Sequence, residues 1–200
     1  MEAPVKKNFA SETRFPTAPD WEVDRWFNTQ KQLSVDSLRG LVIVVHAFQM
    51  LCPGCVAHGI PQAMRVAKTF EGAELAVVGL HTVFEHHEAM RPHALEAFLH
   101  EYKVTIPVGV DMAGKDGDHL PRTMKAYAMR GTPTTILIDR QGLIRSHVFG
   151  AHDDMLLGAE IATLLLERAS AEKPKIEPAK ETRTTDDANA GCDDNACRVS

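Results

Sequence analysis

Two patterns of hydrophobic positions alternate along the middle of the chain. Apolar runs of strand length occur at 41–47, 74–80, 104–110, 134–139 and 143–149. Between them, apolar residues recur every three or four positions, which predicts helices at 53–70, 89–102, 121–129 and 153–168. Strands that alternate with helices predict an α/β fold, with a central mixed sheet and helices on both of its faces. The last two strands follow each other across a short turn and form a terminal β-hairpin.

The two ends of the chain differ in composition from its centre. Residues 1–20 are polar, contain three prolines and predict an extended N-terminal arm. From 170 onward the chain holds so few apolar residues that burial cannot offset the entropy of ordering it. We therefore predict a folded domain over 21–169 and a disordered tail over 170–200. Three large side chains at the start of the domain are expected in its core or at its edge: Trp21, Trp26 and Phe27.

Composition and charge exclude several classes of function. The net charge of −5 and the pI near 6.0 leave no basic surface of the kind that binds nucleic acid. No apolar run approaches the roughly 18 residues of a membrane span. The first ten residues lack the apolar segment of a secretory signal, so the cytoplasm is the expected location.

The first two of the four cysteines carry the candidate chemistry. Cys52 and Cys55 follow the apolar run at 41–47 and stand at the start of the helix predicted over 53–70. This order suits dithiol–disulfide exchange, because a helix N-terminus stabilises a thiolate through its unpaired N–H groups. The alternatives are a structural pair or half of a zinc site, but a full zinc site needs four ligands. We predict no cofactor and no metal.

Five motifs resemble those of the thioredoxin superfamily, in the same order. They are Ser37-Leu-Arg-Gly40, Cys52-Pro-Gly-Cys55, Val78-Gly-Leu-His-Thr82, Gly131-Thr-Pro-Thr-Thr-Ile-Leu-Ile-Asp139 and Gly142-Leu-Ile-Arg145. Together they are similar to the TlpA-like thiol-disulfide oxidoreductases, or redoxins, and the third is similar to the thioredoxin-like domains of DipZ-like and NHL-repeat proteins. The resemblance implies a thioredoxin-like fold over roughly 18–168. It also implies a protein disulfide or dithiol as the partner, with a thioredoxin-type reductant as a further candidate.

The resemblance assigns roles to four residues. Cys52 would attack the partner disulfide, and Cys55 would then release the partner from the mixed disulfide. Pro133 would be the cis-proline that packs beside the pair. Thr132, just before it, would offer backbone hydrogen bonds to an extended substrate segment.

Three features depart from the thioredoxin pattern. Leu51 stands where the family has an aromatic residue before the first cysteine, and His46 stands where thioredoxin has a buried acid. Between the two cysteines, Pro-Gly replaces the Gly-Pro of thioredoxin. His46 is either a proton relay for Cys55, since histidine titrates near neutrality by default, or a satisfied histidine of the core. Glu85 is a candidate for the acidic residue that TlpA-like proteins keep near their active site.

Five histidines between positions 81 and 100 suggest a metal site. They are His81, His86, His87, His93 and His100. The adjacent His86 and His87 cannot easily face one ion from a regular element, so loop and surface positions are the favoured interpretation.

A second cysteine pair, Cys192 and Cys197, lies in the predicted tail. It is a candidate second redox pair that exchanges with Cys52 and Cys55; an incidental pair, a weak metal site and exchange with another chain are the alternatives. About 22 flexible residues span roughly 25 Å, whereas a folded body of this size has a radius of gyration of about 15 Å. The tail is therefore long enough to reach the first pair.

Two other functions remain as alternatives. A peroxiredoxin-like thiol peroxidase would share the fold, but Gln49 stands where the peroxidatic pattern Pro-x-x-x-Thr-x-x-Cys has its threonine. A thioredoxin-like metal-binding module would use the cysteines and histidines as ligands of a soft metal ion.

Overall fold

Six strands form one mixed sheet in the computed structural model, which describes residues 15–115 and 117–171. In chain order they are β1 (Val23–Phe27), β2 (Val42–Phe48), β3 (Leu75–His81), β4 (Val108–Asp111), β5 (Thr134–Ile138) and β6 (Ile144–Phe149). Across the sheet their order is β1-β4-β3-β2-β5-β6. β2, β3 and β4 run parallel, whereas β1, β5 and β6 run antiparallel to their neighbours. The predicted mixed sheet with a terminal hairpin is confirmed.

The sheet separates two hydrophobic clusters. The described α-helices are α1 (Ile60–Thr69), α2 (Pro92–Glu101), α3 (Arg122–Ala126) and α4 (Asp154–Ala171). Successive side chains of a strand point to opposite faces, and β2 is buried on both. One face packs against α1, α2 and α4, and the other packs against α3. The prediction of helices on both faces is confirmed.

β1 is a strand that the hydrophobic pattern does not predict. It pairs antiparallel with β4 at one edge of the sheet and is only partly buried. Its five residues include the charged Asp24 and Arg25, so no apolar run marks it. Trp26 and Phe27 lie on β1 and are half-buried, while Trp21 is buried just before it.

The extended segment before β1 lies along the start of β6. Thr17 forms an isolated bridge with Leu143. The N–H of Ala18 donates to the carbonyl of Gly142 at 2.8 Å. The first fourteen residues and the tail from 172, with Cys192 and Cys197, lie outside the described residues.

The segment predicted as one helix over 53–70 contains a wider turn. Cys55–Gly59 is π-helical, and the N–H of Ile60 donates to the carbonyl of Cys55, five residues earlier. Pro61 follows directly; it has no N–H to donate, and its ring clashes with the carbonyl four residues earlier in a regular α-helix. The predicted helix is therefore present but widens to a π-helical turn here, and we attribute the wide turn to Pro61. Such π-helical turns are frequent at functional sites.

Candidate active site

The two predicted site segments meet where β2 ends and β5 begins. Ala47 of β2 pairs with Thr134 of β5, so the turn after β2 lies beside the residues that precede β5. The first segment carries Cys52 and the second carries Pro133. The peptide bond between Thr132 and Pro133 is cis.

Cys52 is half-buried and makes polar contacts with backbone groups. Its Sγ lies 3.6 Å from the carbonyl oxygen of Thr132, to which the thiol donates. The backbone N–H of Cys55 donates to the same sulfur at 3.3 Å. The chain therefore places the more accessible sulfur of the pair against two backbone groups, where it can act as a nucleophile.

Cys55 occupies the opposite environment. Its side chain is fully buried within the cluster that includes Phe48 and Met50, and both thiols are free. Burial first, and then the hydrogen bond with Cys52, raise the pKa of the Cys55 thiol to about 12. Cys55 is thus protonated at neutral pH and must lose its proton before it can attack a disulfide.

His46 lies on the face of β2 that carries Phe48 and is 2% exposed. Its Nδ1 lies 3.4 Å from Oγ1 of Thr135, while its Nε2 has no hydrogen-bond partner among the described residues. Burial lowers the pKa of His46 to about 4. The expectation that this histidine titrates near neutrality is therefore wrong, and the ring is neutral at neutral pH.

Gly59 allows the His46 ring to lie against the helix. A Cβ added at Gly59 would overlap the ring, with Cε1 of His46 at 2.5 Å and Cβ of Pro133 at 3.2 Å. Any side chain at this position would displace the histidine or the helix. Gly59 follows Cys55 by one turn of the helix, so His46 packs beneath the turn that carries the buried thiol.

Gln49 is a site residue that the sequence analysis does not identify. Its carbonyl accepts the N–H of Cys52 at 3.1 Å, and its side-chain oxygen accepts the N–H of Phe84 at 3.2 Å. Its side-chain amide donates to Glu85 at 3.2 Å. Glu85 is exposed and is connected to the cysteine turn through Gln49 rather than by contact with a thiol. The signal in the sequence is a polar residue that ends an apolar run three positions before Cys52.

His81 differs from the other histidines of its region. It ends β3 and is fully buried, so its predicted surface position is wrong. Neither ring nitrogen has a hydrogen-bond partner among the described residues, and burial lowers its pKa to about 4. The other four are exposed: His86, His87, His93 and His100. Within residues 15–115 and 117–171, no group of three or more His, Cys, Asp or Glu side chains could hold a metal ion.

A cavity of about 530 Å³ lies behind Pro133. One wall is the helix that follows the cysteine pair, and the other is the connection from β6 to α4. We call it the histidine cavity, after the three histidines that line it: His46, His58 and His152. Its walls are joined by Gln62, whose amide donates to the carbonyl of His152 at 2.6 Å and to Asp154 at 2.7 Å.

Comparison with known proteins identifies related sequences and structures. The AhpC/TSA family matches residues 16–147. The crystal structure of a thioredoxin-like superfamily protein is 58% identical, covers 74% of this chain and 96% of its own, and has a TM-score of 0.72. A thiol-disulfide isomerase from Corynebacterium glutamicum is 45% identical, with 76% and 97% covered and a TM-score of 0.71. The comparison with curated proteins yields no match.

A more distant structure shares the fold alone. It is a protein from Chlorobium tepidum described as a thiol:disulfide interchange protein DsbE, with 20% identity and a TM-score of 0.61 over 76% of this chain and 96% of its own. The predicted thioredoxin-like fold is confirmed by these structures. Among the described residues, no helix is long and apolar enough to cross a membrane. The cytoplasmic location stays a prediction.

Proposed function

Because this chain belongs to the AhpC/TSA family, we propose that it is a thiol-disulfide oxidoreductase whose Cys52–Cys55 pair exchanges with a protein partner. The observation that supports this most directly is the asymmetry of the two thiols. Cys52 is accessible and its sulfur accepts a backbone N–H, whereas Cys55 is buried and protonated. An exchange reaction needs one accessible thiol that attacks the partner and a second thiol that then resolves the mixed disulfide.

The proposed reaction has two steps. The Cys52 thiolate attacks one sulfur of the partner disulfide, and the other partner sulfur leaves as a thiolate. Cys55 then loses its proton and attacks Sγ of Cys52, and the second partner sulfur leaves with its electron pair. The dithiol is oxidised to a disulfide by two electrons, and the partner disulfide is reduced by the same two. Run backwards, the same steps oxidise a partner dithiol.

The surface around Cys52 suits a protein partner. Thr132 already uses its carbonyl toward the Cys52 thiol, and this backbone lies at the accessible side of the pair. Two large apolar side chains flank it: Leu51 is 54% exposed, and Phe149, which is 45% exposed, packs against Gly131. A partner segment with an apolar residue beside its cysteine would bury this surface.

Substitution of each cysteine tests the proposal. Cys52→Ser should abolish reduction of insulin or of a model disulfide, because no accessible nucleophile is left in the pair. Cys55→Ser should still attack, and should accumulate the mixed disulfide that wild type resolves. Full activity without Cys52 would overturn the assignment.

A thiol peroxidase is the second candidate, since the AhpC/TSA family also fits a peroxiredoxin-like activity. The polar contacts of Cys52 within the described residues come from backbone groups of Cys55 and Thr132 rather than from a cationic side chain. A nearby cation is the usual means of strongly lowering a thiol pKa. Stopped-flow oxidation by hydrogen peroxide separates the candidates, because a peroxidase reacts with peroxide much faster than with a disulfide substrate.

The relay through Cys192 and Cys197 stays a prediction. The last helix, α4, has 18 residues and is about 27 Å long, and the tail continues from its end. In a Cys55→Ser background, mild oxidation should trap a disulfide between Cys52 and one of the tail cysteines. Mass spectrometry of the digested protein identifies that bond, and its absence would contradict the relay.

A further inference from the structure

Arg130 is an exposed cation close to the cysteine pair. It stands directly before Gly131 and Thr132, and the carbonyl of Thr132 accepts the thiol of Cys52 at 3.6 Å. Its guanidinium lies over the ring of Phe149, with Cζ 5.3 Å from the ring centroid. A guanidinium within about 6 Å of a ring centroid makes a cation–π contact. This contact therefore holds a positive charge beside the nucleophile.

The lack of an acidic partner sets Arg130 apart from the other arginines whose side chains the structure describes. Each of the others forms an ion pair with an aspartate or a glutamate: Arg25, Arg39, Arg65, Arg91, Arg122, Arg140 and Arg145. Among residues 15–115 and 117–171, no carboxylate forms such a pair with Arg130. Its N–H donors are therefore available to a carboxylate from another molecule.

Phe149 fixes the position of this charge. It pairs with Thr134 between β5 and β6, and its ring packs on Gly131, where an added Cβ would lie 2.9 Å from Cε2 of the ring. An unrestrained arginine loses rotamer freedom when it binds a partner. Because the ring of Phe149 already orders the guanidinium, less of this entropy is lost on binding.

Resting on the proposed function, we propose that Arg130 is a specificity-determining residue, which selects protein partners with a carboxylate close to the reacting cysteine. While the partner's sulfur meets Cys52, an aspartate or glutamate of the same partner segment pairs with Arg130. A planar guanidinium can bind a carboxylate through two parallel N–H···O hydrogen bonds. The chain has a net charge of −5, which by itself repels an acidic segment. The preference must therefore come from this local cation.

Peptides of matched sequence test this preference in the full chain with Cys55→Ser, Cys192→Ser and Cys197→Ser, which stops the reaction after attack. Each peptide has blocked ends and one cysteine that carries a thiopyridyl group in a disulfide, with a glutamate, a glutamine or a lysine beside it. The Cys52 thiolate forms a disulfide with the peptide sulfur, and the thiopyridine leaves with the electron pair; its absorbance gives the rate. Division by the rate of the same peptide with mercaptoethanol removes differences in intrinsic reactivity.

The glutamate peptide should react about two- to fivefold faster than the glutamine peptide, as for a charge pair that water still reaches, and the lysine peptide should be slowest. Raising the salt concentration from about 0.01 M to about 1 M should remove most of this difference, because the screening length falls from about 30 Å to about 3 Å. Arg130→Gln should abolish or reverse the preference. Arg130→Lys should keep part of it, since the charge remains without the planar group.

Arg25→Gln is the matched control, because it removes the same charge from β1, at the opposite edge of the sheet from β6. This variant should keep the preference for the glutamate peptide. Equal rates for the glutamate and glutamine peptides in the parent protein, or a preference that survives Arg130→Gln, would overturn the inference. A preference lost equally in both variants would overturn it too, since net charge would then be the cause. A parent protein that reacts with none of the peptides would instead contradict the proposed function.

Discussion

The backbone N–H of Cys55 points at the sulfur of Cys52 from 3.3 Å. The buried cysteine thus supplies the accessible one with a hydrogen-bond donor that belongs to the main chain. A substitution of the Cys55 side chain leaves this donor in place. The reactivity of Cys52 and the presence of the second thiol can therefore be separated by mutation.

Alkylation should distinguish the two thiols. Burial raises the pKa of Cys55 to about 12, so its thiol stays protonated at neutral pH. In the protein with Cys192→Ser and Cys197→Ser, iodoacetamide should modify Cys52 at least about 100-fold faster than Cys55. Peptide mapping by mass spectrometry measures both rates. In concentrated urea the rates should converge; equal rates in the folded protein would contradict the structure.

Gly59→Ala should destabilise the domain, because its Cβ would overlap the buried His46 ring and press against Pro133. We expect a loss of about 1–3 kcal/mol in the free energy of unfolding, measured by urea denaturation. Gly158→Ala is the matched control, since it also lies in a helix but its Cβ meets nothing within 4 Å. That control should be neutral or gain up to about 1 kcal/mol. Similar effects at both positions would show that His46 does not depend on Gly59.

His81→Leu should stabilise the protein, because it removes two buried nitrogen atoms that have no hydrogen-bond partner within residues 15–115 and 117–171. The expected gain is about 1–2 kcal/mol at neutral pH. It should be measured beside His93→Gln, an exposed control. A loss of stability in His81→Leu would mean that the imidazole has a partner in solution.

The same substitution should flatten the acid limb of the stability curve. Burial lowers the pKa of His81 from 6.5 to about 4, so the unfolded chain binds more protons between these values. Wild-type stability therefore falls as the pH drops through this window, by about 1.4 kcal/mol per pH unit for each such histidine. Burial also lowers the pKa of His46, so protonation of His46 changes the stability in the same direction. His81→Leu should remove the contribution of His81 to this dependence of the free energy of unfolding on pH. Urea denaturation at several pH values between 6.5 and 4 measures it, and an unchanged slope would contradict the lowered pKa of His81.

Gln49→Ala should weaken the turn that carries Cys52, because the amide contacts both Phe84 and Glu85. We expect a loss of about 1–2 kcal/mol in stability, together with slower attack by Cys52. Glu85→Gln keeps an acceptor for the amide and should cost less than about 1 kcal/mol. Calorimetry and the attack rate from single-turnover mixing give both numbers. An equal loss of stability in the two variants would show that the exposed carboxylate of Glu85, rather than the amide of Gln49, stabilises the turn.

The parts of the fold that the sequence predicts are those encoded by neighbouring residues. The apolar run of β2 and the Cys-x-x-Cys motif after it are local, and so is the hairpin of β5 and β6. β1 was not predictable in this way, since its hydrogen bonds come from β4, far along the chain. The π-helical turn follows from Pro61, a local signal that the periodicity of apolar residues does not detect.

In the candidate site, too, some features are encoded by neighbouring residues and others depend on residues far apart in the chain. Cys52 and Cys55 follow from spacing alone, whereas the neighbours of His46 depend on how a strand and a helix pack. Nothing near His152 in the sequence indicates that its ring lines a cavity beside Pro133. That arrangement arises because the connection from β6 to α4 folds back onto the first helix, where Gln62 holds it.

The segment before β1 has a mechanical consequence. It bonds to the start of β6, buries Ala18 and Trp21 on one face of the sheet, and then enters β1 at the opposite edge. It therefore connects β6 and β1, the two edge strands of an open sheet. Separating either edge strand therefore requires loosening the other, and a force applied on the N-terminal side would act on the terminal hairpin before it reached β2, the strand that leads into the cysteine turn.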